Sequence, residues 1–208
     1  DELIGEIEFA WRLSDIPVIA ITGTNGKTTT TELTTHLLNA CGKKAIAAGN
    51  YGYAYSDVVY YGEAYDWVVL EVSSFQLETI QSFHPKIALW MNFAPDHMDR
   101  YTRLEDYRNA KLRIFENQTA EDITIIKAED LIPLAARTIT FSAFTDQADY
   151  RYQDKQIIGP DDRPLLDFSK TRLNGKHNAE NVMAALAAVI SAGITPGPQL
   201  VEAVNSYS

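Results

Sequence analysis

Short apolar, β-branched runs alternate with longer amphipathic stretches from residue 17 onward. The runs that predict strands are residues 18–21, 45–48, 67–70 and 87–91. Helices are predicted over residues 27–41 and 75–83, and over a later stretch with the apolar stripe Leu104, Tyr107, Leu112 and Phe115. Such alternation is typical of a parallel sheet covered by crossover helices. We therefore predict an α/β fold with a mostly parallel sheet flanked by helices.

The pattern changes beyond Asp122. Short strands are predicted at residues 123–126 and 138–141, and residues 150–168 contain the turn signal Gly159-Pro160-Asp161-Asp162. We expect a small antiparallel sheet in that region. The Ala-rich stretch 179–192 predicts a helix that ends at Gly193, and a last helix is predicted from Pro198.

Composition and charge narrow the class of protein. A chain of 208 residues, 46% of them hydrophobic, can bury a core as one domain. The 28 acidic and 18 basic residues give a net charge of -10, which disfavours a nucleic-acid partner. No apolar run approaches the roughly 20 residues that span a bilayer, so we expect a soluble protein without a membrane partner. We also expect a monomer located in the cytoplasm. The single cysteine, Cys41, excludes an intramolecular disulfide and fits a reducing compartment.

The segment Gly23-Thr24-Asn25-Gly26-Lys27-Thr28 lies between the first predicted strand and a predicted helix. This order suits phosphate binding, because the glycines allow close backbone approach and the helix N-terminus presents free N–H groups. Lys27 can neutralise phosphate charge and the Thr28 hydroxyl can ligate Mg²⁺. The general P-loop pattern wants a glycine six positions before the lysine, where this chain has Ile21, so the match is partial. The alternative is an ordinary glycine-containing turn.

Polar residues also follow two later strands. Glu71 ends a buried strand, where an unpaired carboxylate is costly, so it should meet a cation, a hydrogen-bond donor or solvent. Because ligands bind at the carboxyl ends of parallel strands, Glu71 is a natural Mg²⁺ ligand, with a helix-capping or surface role as an equal alternative. His97, in Asp96-His97-Met98-Asp99-Arg100, could bind metal or phosphate, although a solvated or structural histidine is the more ordinary interpretation.

Three further polar residues stand out on predicted helices. Lys111 lies one turn from Tyr107 and Phe115, on the apolar side of its helix, where most lysines extend to water. Asn178 and Asn181 are three positions apart at the start of the Ala-rich helix and share one face. The ordinary role of Asn178 is a helix N-cap, whereas Asn181 is placed to hydrogen-bond a nucleotide base.

Five segments in order resemble the Mur ligases: residues 21–28, 70–78, 96–101, 110–114 and 175–178. The resemblance spans almost the whole chain. The strings Ser73-Ser74-Phe75-Gln76-Leu77-Glu78 and Asp96-His97-Met98-Asp99-Arg100-Tyr101 are most similar to the members that add D-glutamate. The resemblance implies the central ATP-binding domain of an ATP-dependent, amide-bond-forming ligase of peptidoglycan precursor synthesis. Its implied substrates are UDP-N-acetylmuramoyl-L-alanine and D-glutamate, joined through an acyl-phosphate intermediate.

The resemblance also implies a role for each matched residue. Thr28 and Glu71 would hold one of two Mg²⁺ ions. His97 and Lys111 would serve the second, with Lys111 carried as a carbamate formed with CO₂. Asn50 and Ser73 would face the UDP-sugar substrate, and Lys27 would contact the ATP phosphates. The implied ATP-binding residues are Gly23, Thr24, Asn25, Gly26, Lys27, Thr28, Thr29, Asn178 and Asn181.

Full ligases of this family also have an N-terminal and a C-terminal domain. We therefore expect residues 1–208 to be a central domain, with residues 1–16 leading in from an N-terminal domain and the C-terminal domain absent. Such a fragment should bind nucleotide weakly and lack turnover.

Other functions stay open at this point. One is a folylpolyglutamate-type ligase core, against which the string Ser73-Ser74-Phe75-Gln76 argues. Another is a nucleotide-binding module that makes no bond. An ordinary P-loop kinase or GTPase is disfavoured by Ile21 and by the lack of an Asn-Lys-x-Asp string.

Overall fold

The computed structural model describes residues 3–96, 100–130 and 132–207. Within these residues the strands form one sheet in the order β2-β3-β1-β4-β5-β6-β7-β8-β9. The pairs from β2 through β7 are parallel, and β7, β8 and β9 pair antiparallel. The predicted α/β class with a mostly parallel sheet is confirmed. The strands are β1 (Val18–Thr22), β2 (Ala45–Gly49), β3 (Trp67–Glu71), β4 (Ile87–Trp90), β5 (Ile123–Lys127), β6 (Arg137–Ser142), β7 (Tyr150–Gln153), β8 (Gln156–Ile158) and β9 (Pro164–Asp167).

The predicted antiparallel part continues the main sheet, because β7 pairs with β6 through Phe141 and Tyr150. A two-residue turn joins β7 to β8, and both of its residues, Asp154 and Lys155, have positive φ. That conformation matches the twist of a hairpin.

Helices cover both faces of the sheet. They are α1 (Glu6–Trp11), α2 (Lys27–Ala40), α3 (Tyr55–Tyr61), α4 (Ser74–Leu77), α5 (Leu104–Leu112), α6 (Lys176–Ser191) and α7 (Pro198–Ser206). Two 3₁₀ turns follow α5 and β9, at Arg113–Phe115 and Phe168–Lys170. Among the described helices, none is long and apolar enough to cross a membrane.

Strand β1 divides the core between the two faces, because its side chains alternate in direction. Ile19 and Ile21 pack with α2 and α6, whereas Val18 and Ala20 pack on the side of α1 and α3. All five residues of β1 are buried, as in a central parallel strand.

Helix α1 belongs to the packed domain, although the sequence suggested only a lead-in there. Its Glu8 side chain is 0% exposed and accepts hydrogen bonds from the backbone N–H groups of Gln81, Ser82 and Phe83, at 2.9–3.0 Å. The helix predicted over residues 75–83 is present but its predicted length was wrong, since α4 ends at Leu77. The N–H groups of residues 81–83 bind a carboxylate from another element instead of helix carbonyls.

Candidate active site

The loops that carry the predicted phosphate and metal ligands meet at one edge of the sheet. Strand β1 lies between β3 and β4, and the parallel register pairs Ile21 with Glu71 and Thr22 with Trp90. The phosphate loop (residues 23–28), Glu71 and the loop after β4 therefore lie next to one another at this edge. Ligands bind at such carboxyl ends in open parallel sheets.

The phosphate loop requires its two glycines. Gly23 has φ +149°, and a Cβ there would lie 2.9 Å from the Cβ of Met91. Gly26 has φ +83° and begins α2, where a Cβ would overlap the amide oxygen of Asn181. Both positions combine a backbone conformation that favours glycine with a close neighbour. The loop therefore leads directly into the N-terminus of a 14-residue helix, whose free N–H groups favour anions.

The loop after β4 holds the phosphate loop in place. Asn92 and Asn25 bond reciprocally, because the backbone N–H of Asn25 donates to the Asn92 side chain at 2.9 Å and the Asn92 amide donates to the Asn25 carbonyl at 2.9 Å. The Thr24 N–H donates to the Asn92 carbonyl, and the Thr24 hydroxyl bonds both backbone groups of Ala94, each at 3.1 Å. Sequence analysis assigned no role to Asn92 or Ala94. Their position directly after a buried strand was the available signal.

Lys27 and Thr28 follow the loop at the start of α2. The Lys27 side chain is half-buried and donates to the Thr24 carbonyl at 3.0 Å. Burial lowers its pKa, and the carboxylates of Glu71 and Asp96 oppose that change. The ammonium group thus lies folded over the loop that would receive phosphate.

Glu71 meets hydrogen-bond donors, as its buried position predicted. Its side chain is 2% exposed, the Thr28 hydroxyl donates to one carboxylate oxygen at 2.7 Å, and the Asn50 amide donates to the other at 2.9 Å. A carboxylate and a hydroxyl beside a phosphate loop are oxygen donors of the kind that Mg²⁺ takes, with waters and substrate phosphates completing its shell. Within the described residues, no group of three or more His, Cys, Asp or Glu side chains is arranged to hold a metal.

Lys111 does not extend to water. Its side chain is 2% exposed, and Nζ donates to the Gly23 carbonyl at 2.8 Å and lies 4.8 Å from the centre of the Tyr107 ring. The ordinary expectation for such a lysine is therefore wrong, because α5 packs under the phosphate loop and supplies an acceptor and an aromatic face at that depth.

Burial and the nearby positive charge of Lys27 lower the pKa of Lys111 to about 7, against the opposing effect of Asp96 and Glu71. A substantial fraction of this amine is neutral at physiological pH. His97, the predicted partner of Lys111, lies outside the described residues, so its role stays a prediction.

Asn178 and Asn181 share one face of α6, which begins at Lys176 after the cap residue Gly175. The ordinary N-cap role of Asn178 was therefore wrong, because the helix starts earlier than the Ala-rich stretch. The Asn181 amide donates to the Asn178 side chain, and its oxygen accepts from the Thr30 hydroxyl, each at 3.4 Å.

A cavity of about 330 Å³ opens beside the phosphate loop. Asn25, Gly26, Asn92 and Asn181 are among the residues that line it. This volume is in the range of small-ligand sites. The cavity also contains side chains without a predicted role: Lys127 and Glu180, an ion pair at 3.0 Å, and His177.

Asn50 and Ser73 lie close to Glu71 in the structure, each with a structural partner. The backbone N–H of Asn50 donates to the Glu71 carbonyl at 2.8 Å. Ser73 caps α4 in a reciprocal pair with Gln76, whose backbone N–H donates to the serine hydroxyl at 3.3 Å and whose side chain accepts from the Ser73 N–H at 2.9 Å. The predicted contact of both residues with a sugar nucleotide stays a prediction.

Solved structures share this fold. MurF ligase from Thermotoga maritima in complex with ADP superposes with a TM-score of 0.73 and 18% identity, over 97% of this chain and 51% of that one. A UDP-N-acetylmuramoyl-L-alanyl-D-glutamate–2,6-diaminopimelate ligase gives a TM-score of 0.72 and 24% identity, over 97% of this chain and 48% of the other.

Curated relatives are more similar in sequence. UDP-N-acetylmuramoylalanine–D-glutamate ligase from Geotalea daltonii is 42% identical over 205 residues, covering 93% of this chain and 45% of the relative. The enzyme of the same name from Thermoanaerobacter pseudethanolicus is 39% identical over 204 residues, with coverage of 93% and 45%. The chain thus spans about half the length of the curated relatives it matches.

The family comparison agrees with the geometry. The model of the Mur ligase middle domain matches residues 21–189, which include the phosphate loop, Glu71, Lys111 and both asparagines of α6. The match covers most of the chain and begins inside β1. The chain therefore belongs to the Mur ligase family and contains its middle domain.

Proposed function

We propose that this chain is the ATP-binding core of a ligase that joins D-glutamate to UDP-N-acetylmuramoyl-L-alanine in the cytoplasm, during peptidoglycan precursor synthesis. The observation that carries the proposal is the 2.7 Å hydrogen bond from Thr28 to Glu71 at the mouth of the phosphate loop. It brings together two oxygen donors where a nucleotide's β- and γ-phosphates would lie. The choice of D-glutamate is supported by the names of the relatives at about 40% identity.

The nucleotide would bind with its phosphates at the loop and its base toward α6. The N-terminus of α2 offers backbone N–H groups, and Lys27 offers a positive charge that reaches over the loop. Asn181 is 8% exposed and lines the cavity. Because its side chain is already held in place, its amide can hydrogen-bond a base with little loss of conformational entropy. Gly23, Thr24, Asn25, Gly26 and Thr29 would complete the phosphate contacts, with Asn178 beside the base.

The reaction would proceed in two displacements. An oxygen of the L-alanine carboxylate bonds to the γ-phosphorus and the bond to ADP breaks, which gives an acyl phosphate. The D-glutamate nitrogen then bonds to the acyl carbon, phosphate leaves with the C–O electron pair, and the nitrogen loses a proton. Lys27 would lie against the phosphates and stabilise the charge of the transferring group.

Thr28 and Glu71 would hold the Mg²⁺ of the nucleotide. When bound, Mg²⁺ neutralises phosphate charge during transfer. The two protein oxygens suit this ion because they are hard donors and already lie in hydrogen-bond contact. Asn50 fixes the second oxygen of Glu71, so the carboxylate is oriented before any ligand enters.

Lys111 is proposed to carry a carbamate that serves a second Mg²⁺ with His97. The ammonium group would first lose a proton; the neutral nitrogen would then bond to the carbon of CO₂, one C–O π pair would move to oxygen, and the nitrogen would lose a second proton. The buried cation would thereby become an anionic carbamate. A pKa of about 7 favours this step, since only the neutral amine reacts. The change would also replace the repulsion between Lys111 and Lys27 with attraction.

The rest of the relatives' length is proposed to supply the other parts of the ligase. An N-terminal domain would hold the uridine nucleotide, with Asn50 and Ser73 facing the sugar, and a C-terminal domain would bind D-glutamate and complete the ATP site. We propose a monomeric ligase.

The test is a phosphate-release assay on the intact protein with ATP, Mg²⁺ and UDP-N-acetylmuramoyl-L-alanine. Phosphate release should require D-glutamate, and meso-diaminopimelate in its place should give none. Turnover with meso-diaminopimelate would overturn the acceptor assignment. Glutamate addition to a folate would favour a folylpolyglutamate-type ligase, and nucleotide binding without any turnover would favour a binding module.

A further inference from the structure

Glu32 on α2 joins two tyrosines from distant parts of the chain. The Tyr51 hydroxyl, in the loop after β2, donates to one carboxylate oxygen of Glu32. The Tyr207 hydroxyl, just after α7, donates to the other at 2.9 Å. The hydrogen bond to Glu32 raises the pKa of Tyr51, so this hydroxyl stays protonated and remains a donor. Both oxygens of Glu32 are therefore held from outside its own helix.

Glu32 and Tyr51 complete a closed ring of contacts that includes Glu71. Thr28 lies one helical turn before Glu32 on the same face of α2 and donates to Glu71 at 2.7 Å. Asn50, adjacent to Tyr51, donates to the other Glu71 oxygen at 2.9 Å. The ring therefore runs from Glu71 through Thr28, along α2 to Glu32, across to Tyr51, and back through Asn50.

The ring fixes the position and the orientation of the Glu71 carboxylate. Its two oxygens bond to two separate elements, α2 and the loop after β2. Only a fixed distance between those elements keeps both bonds at once. The Asn50 N–H already holds the loop to the Glu71 carbonyl, and the Tyr51–Glu32 bond ties the same loop to α2 one turn beyond Thr28.

Tyr207 is a second restraint on Glu32. Its ring centre lies 5.7 Å from that of His36, one turn further along α2, and the His36 ring nitrogen lies 3.0 Å from the Ala203 carbonyl of α7. The end of α7 is thus attached to the same face of α2, which limits the rotamers open to Glu32.

We propose that Glu32 and Tyr51 are positioning residues for Glu71, which hold its carboxylate in the orientation that binds the divalent cation of a bound nucleotide. The inference deepens the proposed function and rests on it. Neither residue contacts the cation; they act through Asn50 and Thr28. Carboxylate ligands held within a fraction of an ångström bind a metal more tightly than free ones, because less order is lost on binding.

The experiment measures Mn²⁺ affinity of the intact protein at saturating ADP, from the electron paramagnetic resonance signal of free Mn²⁺. Tyr51→Phe should weaken Mn²⁺ binding about threefold to tenfold, the size expected for the net loss of an ordinary hydrogen bond. Glu32→Ala removes the hydrogen bonds from both Tyr51 and Tyr207 and should weaken Mn²⁺ binding at least as much. The double variant should bind no more weakly than Glu32→Ala, because both changes break the same link. Glu32→Gln, which keeps an acceptor oxygen, should recover part of the loss.

The matched control is Tyr65→Phe, which removes a hydroxyl that donates to the exposed carboxylate of Glu63 at 3.1 Å, in another loop. It should bind Mn²⁺ like the wild type. The inference is overturned if Tyr51→Phe and Tyr65→Phe bind Mn²⁺ equally, if the losses of the two single variants add, or if Tyr51→Phe lowers only the melting temperature. A wild-type protein that binds no Mn²⁺ with ADP would overturn the proposed function as well, so the two failures are distinguishable.

Discussion

The Lys111 side-chain nitrogen lies 2.8 Å from the carbonyl oxygen of Gly23, so helix α5 is bonded directly to the phosphate loop. The contact places a titratable amine beneath the loop, close enough to Lys27 and Glu71 for their charges to act on its pKa. Its pKa of about 7 follows from burial and from the charge of Lys27.

Carbamate formation at Lys111 should be visible by ¹³C NMR of the intact protein in ¹³C-bicarbonate. We expect a carbamate resonance that grows as the pH rises through about 7, because the neutral amine is the reactive form above its pKa. Lys111→Met should lose the resonance. Lys170→Met, at an exposed lysine, should keep it. A resonance that survives in Lys111→Met would contradict the assignment.

Asn92→Ala should weaken nucleotide binding, because it removes both side-chain hydrogen bonds that shape the loop at Asn25. We expect about tenfold lower ADP affinity by calorimetry and about 1–2 kcal/mol lower free energy of unfolding. Asn117→Ala is the matched control, since its side chain likewise makes two hydrogen bonds to the backbone, at 2.9 and 3.0 Å, in another region. It should lose similar stability and no affinity. Equal affinity losses in both variants would show that the effect is not specific to the loop.

Glu8 should make the fold sensitive to acid. Burial alone would raise its pKa, but hydrogen bonds from Gln81, Ser82 and Arg12 lower the pKa from 4.5 to about 2. The unfolded chain therefore binds a proton more readily than the folded one. The stabilisation is present above about pH 4.5 and is lost as the pH falls toward 2, with an upper limit of about 3 kcal/mol.

Urea unfolding from pH 2 to 7 would measure this contribution. Glu8→Gln should lower stability at pH 7 and flatten the curve between pH 4.5 and 2, whereas Glu202→Gln, at an exposed position of α7, should follow the wild type. If Glu8→Gln and the wild type have parallel curves, Glu8 does not provide the acid sensitivity.

The sequence was enough to predict the sheet edge that carries the site. Strands β1, β3 and β4 are continuous apolar runs, and each ends in a polar residue or a loop, so their type and shared edge follow from local pattern. That Glu71 shares this edge with the phosphate loop needed only parallel strands, whereas the placement of β3 directly beside β1 was not predicted. Family resemblance then added roles that spacing left open, such as that of Lys111.

Features that depend on distant partners were not predicted. The Asn25–Asn92 pair joins residues 67 positions apart, and Glu8 bonds to residues more than 70 positions away. Contacts between such distant residues leave no periodic pattern in the local sequence that could predict them. Helices α1 and α3 were missed because they are short, with only two or three buried positions each, which is too few to define a periodic stripe. The Lys127–Glu180 pair in the cavity joins a strand to a helix 53 positions later and gave no signal either.

Calorimetric titration of the intact protein with ADP and Mg²⁺ tests most directly whether the phosphate loop is a nucleotide site. Lys27→Ala should weaken ADP binding about thirtyfold or more, because it removes a half-buried charge opposite the phosphates. Lys44→Ala, just before β2 and in an exposed ion pair with Glu63, should leave the affinity unchanged. Wild-type affinity in Lys27→Ala, with both variants folded, would contradict the assignment of this loop as the nucleotide phosphate site.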